Sequence, residues 1–219
     1  MKTITLITAL FISFCSIFAQ EGHIIYDIQL ESDQPEVQAQ IGMLAGSTLE
    51  VFYQDAKSKT VSSMGSLITT TTISDADTGE TLLLMSGMMG KLASKSNAND
   101  EEEKEEEPEI TVELMDETKE ILGYTCKKAI LTSEDGTEME YWYTEELERG
   151  TIKAQGFSDK IPGVPLAFTV ATPQMKMVYT AKEVSTKIKK AKKVFDMEIP
   201  EGYAEKTKEE MKNMMGGGQ

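Results

Sequence analysis

The sequence predicts a mainly β protein of the α+β class. It is one antiparallel sheet, strongly curved or closed, with a few short helices against one face. Three observations lead there. Runs of alternating apolar and polar residues recur along the chain, enough for about eight to ten strands. Turn signals such as Asp75-Ala76-Asp77-Thr78-Gly79 and Asp135-Gly136 separate neighbouring runs. Helical spacing of apolar residues is confined to two short stretches, so strand must pack largely on strand.

In order, residues 23–30 alternate, with Ile24, Tyr26, Ile28 and Leu30 on one face. Val37, Ile41 and Leu44 stand at helical spacing within 36–45, and Gly42 and Gly46 weaken or end that helix. Strands are expected at 49–53, 60–64, 67–74 and 81–85, the third rich in β-branched threonines. Met88, Met89 and Gly90 read as a loop. Residues 94–109, SKSNANDEEEKEEEPE, are read as a disordered acidic loop, because they have too little to bury to offset their ordering entropy. Oxygen-rich carboxylates suit Ca²⁺, but the segment lacks the spaced Asp/Asn ladder and turn glycine of such a site.

Strand 110–114 follows, and 117–121 leads into Gly123. A hairpin of strands 124–132 and 138–144 then turns at Asp135-Gly136. Residues 156–165 form a rigid Pro/Gly loop. Strand 164–170 begins at Pro165, which is expected to sit at a sheet edge. The next strand, from 175, is expected to continue to Ile188 and into a basic run, with a further short element at 195–199. A short Met-rich helix and flexible tail close the chain at 206–219, with Met211, Met214 and Met215 on one side. Residues 21–205 thus make one domain.

Residues 1–20 read as a secretory signal peptide. Lys2 is the positive start, 4–18 the apolar stretch, and cleavage is expected after Ala19 or Gln20. Phe14 before Cys15 does not suit lipidation. The mature protein is expected to be exported, periplasmic or secreted, and soluble. It retains one cysteine, Cys126, which has no internal disulfide partner and is read as buried and inert. A net charge of −15 disfavours nucleic acid as a partner.

The motif Gly123-Tyr124-x-Cys126-Lys127-Lys128-Ala129, followed by Trp142-Tyr143-Thr144-Glu145-Glu146-Leu147, resembles an exported bacterial family, domain of unknown function 4412. Ile161-Pro162-Gly163-Val164-Pro165-Leu166-Ala167-Phe168 and Ile199-Pro200-Glu201-Gly202-Tyr203 are similar to the same family. The GLPGLI family shares the Cys-Lys-Lys-Ala and Trp-Tyr-Thr core, but its namesake motif is here only Gly163-Val164-Pro165-Leu166. The resemblance implies a LolA/LolB-like half-barrel, a curved sheet around helices with an apolar cavity. It names no catalytic residue.

Catalysis would have to recruit the lone mature histidine, His23, with Cys126 some hundred positions away, or acidic pairs such as Glu145-Glu146 and Glu138/Glu140. The first has nothing in the sequence to bring it together, and alternating glutamates are the usual solvated face of a strand. No Cys/His cluster suits zinc. Met88, Met89, Met211, Met214 and Met215 have the softness for Cu(I), but their spacing equally serves helix docking. No metal or other cofactor is expected, and no enzyme activity.

The expected function is non-enzymatic binding of a lipophilic molecule or a partner segment in the sheet concavity. Phe52, Leu83, Trp142, Phe168, Met177 and Tyr179 are the candidate cavity wall. The alternative is a structural or interaction protein of the envelope with a filled core. Lys187, Lys189, Lys190, Lys192 and Lys193 are a candidate contact with a membrane surface, or a solvated strand extension.

Overall fold

A computed structural model describes residues 20–88, 90–98, 110–149, 152, 157–172 and 175–214. Residues 1–19, which hold nearly all of the expected leader, the acidic stretch from residue 99 to 109, Met89 and the end of the chain from Met215 lie outside the described residues. Among the described residues twelve strands form one sheet. They are β1 (Glu21–Glu31), β2 (Thr48–Gln54), β3 (Lys57–Met64), β4 (Ile68–Asp75), β5 (Glu80–Gly87), β6 (Gly90–Asn97), β7 (Ile110–Ile121), β8 (Tyr124–Ser133), β9 (Glu138–Thr144), β10 (Val164–Ala171), β11 (Lys176–Ser185) and β12 (Ala204–Glu205). The helices are α1 (Pro35–Ile41), the single turn α2 (Ala191–Val194) and α3 (Lys208–Met214), with one 3₁₀ turn at Gly42–Leu44.

The strand order is β12-β6-β5-β4-β3-β2-β1-β11-β10-β9-β8-β7. Only β12 and β6 pair in parallel. The sheet is curved and unclosed, consistent with a half-barrel. In strand order β1, β11, β10 and β9 separate β2 from β8. Yet the Tyr53 hydroxyl of β2, pushed up to about 12 chiefly by burial, also feels Tyr124 of β8 and Glu148 beyond β9. A flat sheet would hold β2 and β8 roughly 24 Å apart, so the sheet curls and brings them together.

The inner face carries the main core. β1 and β2 bury alternate residues as their sequence pattern requires: Ile24, Tyr26 and Ile28 against Leu49, Val51 and Tyr53. The row continues through Tyr179 and Phe168 to Tyr141. Phe168 stacks on Tyr179 with centroids 4.4 Å apart and on Tyr141 at 5.5 Å, and meets Tyr26 edge-on at 5.6 Å. The Tyr26 hydroxyl donates to the Pro165 carbonyl at 2.6 Å, which satisfies both buried groups. Leu147, Ile152 and Ile161 of the β9–β10 connection join the same cluster. Gly22 lies under the Tyr53 ring, where a Cβ would come within 2.2 Å of it.

Two turns show the expected chemistry. Asp75 Oδ1 accepts from the Asp77 and Thr78 N–H groups, and Gly79 has φ +75°. At the β8–β9 turn the Asp135 carboxylate accepts from the Ser133 hydroxyl and the Thr137 N–H. Those bonds hold its pKa below the usual carboxylate value. Helix α3 is started by a reciprocal pair: Glu210 N–H donates to Thr207 Oγ1, and Thr207 N–H donates to Glu210 Oε2.

Several expectations are corrected. Strand β6 runs through Asn97, so residues 94–97 belong to the sheet and not to the acidic loop. It is hard to read because both its faces are covered by later parts of the chain. Strand β7 is one 12-residue strand with a bulge between Leu114 and Thr118. It joins β8 through Leu122 at φ +52° and Gly123 at φ +82°, a two-residue turn that opens on an unusual leucine. Strand β10 is not an edge strand, since it lies between β9 and β11, but Pro165 at its start pairs only with Tyr143 of β9; the β10–β11 ladder begins at Ala167, so the missing N–H falls where β11 offers no partner. Strand β11 stops at Ser185, and the lysine run forms a turn and α2, with Lys190 at φ +58°.

The chain after α2 wraps the β6 edge. Met197, Ile199 and Tyr203 pack on the outer face over Ile73, Leu82, Leu84 and Ala93. Strand β12 then pairs along β6, and α3 returns on the inner face, where Met211 meets Met85 and Leu92. The short element at 195–199 is thus a covering segment.

Candidate functional site

Between the main core and α3 the inner face is left half open. Cross-strand register defines its floor as rows over β3, β4, β5 and β6. Nearest the β5–β6 turn come Met64, Ile68 and Gly87, then Ser62, Thr70, Met85 and Leu92. Next come Thr60, Thr72, Leu83 and Ser94, and at the far end Ser58, Ser74, Thr81 and Ser96. Met64, Ile68, Thr70, Thr72 and Leu83 are half-buried. The floor thus grades from thioether and aliphatic to hydroxyl over six residues of strand, roughly 20 Å. At the hydroxyl end Ser74 and Thr81 bond each other at 3.2 Å. A cavity of about 130 Å³ opens at the apolar end, lined by Leu67, Ile68, Met85, Met88 and Leu92. A second, of about 240 Å³, lies at the other sheet end but on the outer face, where Glu80, Lys95, Asn97 and Met197 line it with the strand edges at Thr81 and Ser96.

The six candidate wall residues do not form one wall. Phe168 and Tyr179 are 1% and 2% exposed, so they are stacked core, and Met177 packs beside them within reach of the Tyr179 hydroxyl. Leu83 lies on the open floor, next to the α3 cluster. Phe52 and Trp142 point to the outer face, because each is flanked in its strand by inner-face residues. Apolar size alone selected them, and alternation decides the face. The floor residues Thr60, Ser62, Thr70 and Thr72 carry no signal of their own, since a polar alternation reads as an ordinary solvated face.

On the outer face Trp142 has two cations beside its ring. The Lys119 ammonium stands 4.1 Å from the ring and Lys128 5.7 Å. The indole N–H donates to Glu140 at 2.6 Å, and that bond is the main reason the Glu140 carboxyl is held below its usual pKa. Lys128 also bonds Glu117, and burial lowers the Lys119 pKa. Beside this group Cys126 is free and fully buried, its thiol pushed up to about 11 by that burial. At pH 8 only about one molecule in a thousand carries the thiolate. We expect no labelling of the native protein by a thiol-specific disulfide reagent within minutes, and full labelling in denaturant; rapid native labelling would contradict the burial.

His23 does not meet Cys126. It stacks on Phe52 at 4.0 Å and bonds Glu50 at 2.6 Å, with β11, β10 and β9 between its strand and β8. Glu145 pairs with Lys127, and Glu146 accepts from the Thr125 N–H. Among the described residues no three His, Cys, Asp or Glu side chains are grouped to hold a metal ion. Met211 is buried on β5 and β6, whereas Met88 and Met214 are exposed. The five lysines of the basic run are all exposed, at the sheet end where β11 meets the start of β1. Among the described residues no helix is long and apolar enough to cross a membrane.

A family described as N-glycanase peptide, N-terminal domain, matches residues 94–201, just under half of the chain. No curated protein matches. Among solved structures, PNGF-II is similar in fold, at 18% identity over 90% of this chain with a TM-score of 0.53. The chain spans about a third of the length of PNGF-II, 33% of that chain. Two more distant likenesses are a DUF1329 family protein from Desulfovibrio piger and an outer membrane lipoprotein-sorting protein domain from Vibrio parahaemolyticus. The first has 12% identity and a TM-score of 0.25, covering 81% of this chain and 90% of its own. The second has 9% identity and a TM-score of 0.20, covering 80% and 89%. These two add nothing to the fold assignment. With PNGF-II the chain shares a fold.

Proposed function

We propose that this chain is an exported, non-enzymatic binding module of the cell envelope. Its inner sheet face holds a lipophilic molecule or an apolar partner segment. The observation that carries this reading is the half-open floor over β3, β4 and β5, closed on one side by the aromatic core and on the other by α3. A closed core needs no such floor, and a stripe graded from apolar to hydroxyl suits an amphiphile. Export fits the leader, because cleavage after Ala19 or Gln20 leaves β1 whole from Glu21. Membership in domain of unknown function 4412 belongs to the same proposal.

The exposed lysines would hold the module near anionic lipid. Each contributes about 1 kcal/mol close to such a surface. The full burial of Phe168 and Tyr179 favours a second reading, an envelope interaction protein with a filled core. The two separate in one experiment. Protein purified from its native compartment is examined by native and denaturing mass spectrometry with lipid extraction, and titrated with 11-(dansylamino)undecanoic acid. Co-purifying lipid or saturable uptake is expected; neither would leave the filled-core reading.

A further inference from the structure

The apolar end of the floor and α3 share one set of side chains. Met85 and Leu92 line the cavity of about 130 Å³ and also form the seat of Met211. We propose that this end binds the methyl-terminal part of a single unbranched acyl chain, and that Met211 is the plug that fills the seat when no chain is bound. The inference deepens the binding reading above and rests on it.

Four features support the assignment. First, the seat is apolar: Ile68, Met85 and Leu92 face it, with the β5–β6 turn at its rim. An apolar cavity of this order stays dry and takes small hydrocarbons. It is too small for a rigid polycyclic ligand, whereas a flexible chain can enter by its end. Second, the walls adapt. Met85, Met88 and Met211 carry unbranched thioethers that repack around different shapes.

Third, α3 is weakly held. It has seven residues, and Met211, 1% exposed, is the one buried side chain among those described in it. A helix this short has no stability of its own, so undocking Met211 releases the whole turn. The bonds of its first turn, Thr207 with Glu210 and Lys206 with Glu210, are exposed and local. Fourth, the floor has a direction. With the methyl end seated under α3, roughly 13 Å of strand from Met85, or 20 Å from Ile68 at the rim, separates it from the hydroxyls of Thr81 and Ser74, the span of a medium to long acyl chain. The polar head then reaches the Ser185 end of the sheet, since β6 ends at Asn97 on the side where β11 ends.

The test titrates 11-(dansylamino)undecanoic acid into the full chain and two variants, with thermal unfolding of each followed by circular dichroism. Met211→Ala empties the seat and is expected to tighten apparent binding roughly five- to tenfold, because the competent state no longer competes with the plug. Ile68→Trp fills the cavity and is expected to weaken binding at least tenfold on the same basis. If Met211→Ala unfolds, deletion of residues 208–219 replaces it with the same expectation. Binding by the wild-type chain that neither variant changes overturns the plug and leaves the binding reading standing. No uptake by the wild-type chain or by either α3 variant overturns both. Uptake by the α3 variants alone supports the plug directly.

Discussion

Phe168→Ala is expected to lower the stability of the folded chain by about 3–5 kcal/mol. The ring is 1% exposed and lies at the meeting point of four strands. It touches Tyr26 from β1, Tyr179 from β11 and Tyr141 from β9. Truncation removes the transfer free energy of the ring and leaves a void that three other rings cannot close, because each is fixed by its own strand. Each lost aromatic pair adds about 0.5–1.5 kcal/mol beyond the buried area. The Tyr26 hydroxyl bond to Pro165 loses its packing support as well. Against a total stability of about 5–15 kcal/mol the loss is large. Urea unfolding followed by Trp142 fluorescence measures it, and a loss under about 1 kcal/mol would show that the aromatic cluster is not the centre of the core.

The second large effect is expected from deleting residues 195–219. Phe195 and Met211 are nearly or fully buried, and each contributes about 1.5–3 kcal/mol by that burial. Met197, Ile199 and Tyr203 cover the outer face of β4, β5 and β6 and go with them. The deletion uncovers β6 on both faces and along its edge at once. Its free N–H and C=O groups then template pairing with another chain. The truncated protein is therefore expected to lose at least about 4 kcal/mol and to self-associate as its concentration rises. Thermal unfolding and light scattering after size-exclusion chromatography report the two effects. A monomer of unchanged melting temperature would contradict the role given to the wrap.

Much of the fold is legible in the sequence, and the reason differs by element. Strands β1 and β2 have one buried and one wet face, so their apolar residues alternate and declare both strand and inward face. The Asp-Gly and Asp-Thr-Gly turns announce themselves because few residues tolerate positive φ. Strand β6 is obscure, since only Leu92 and Ala93 are apolar and each is covered by a segment more than a hundred residues later. The far half of β7 is an edge whose side chains are mostly exposed, so it carries no hydrophobic period. Residues 195–199 alternate like a strand, but no neighbouring strand offers them an edge, and they lie across the sheet.

The site is less legible than the fold. Phe52 and Trp142 are large and apolar, yet they face outward, and Trp142 is shielded by the stems of Lys119 and Lys128. The open floor is built from Thr60, Ser62, Thr70 and Thr72, whose chemistry in isolation is that of a solvated strand. The sequence alone determined the β class, the main turns, and the inward faces of β1 and β2. Those are local matters, written in period and residue type. Only the tertiary structure decided the strand order, the curl that brings Tyr53 to Tyr124, the wrap around β6 and the half-open floor. Each depends on contacts between residues far apart in the chain, and alternation says which residues share a face but not what will cover it.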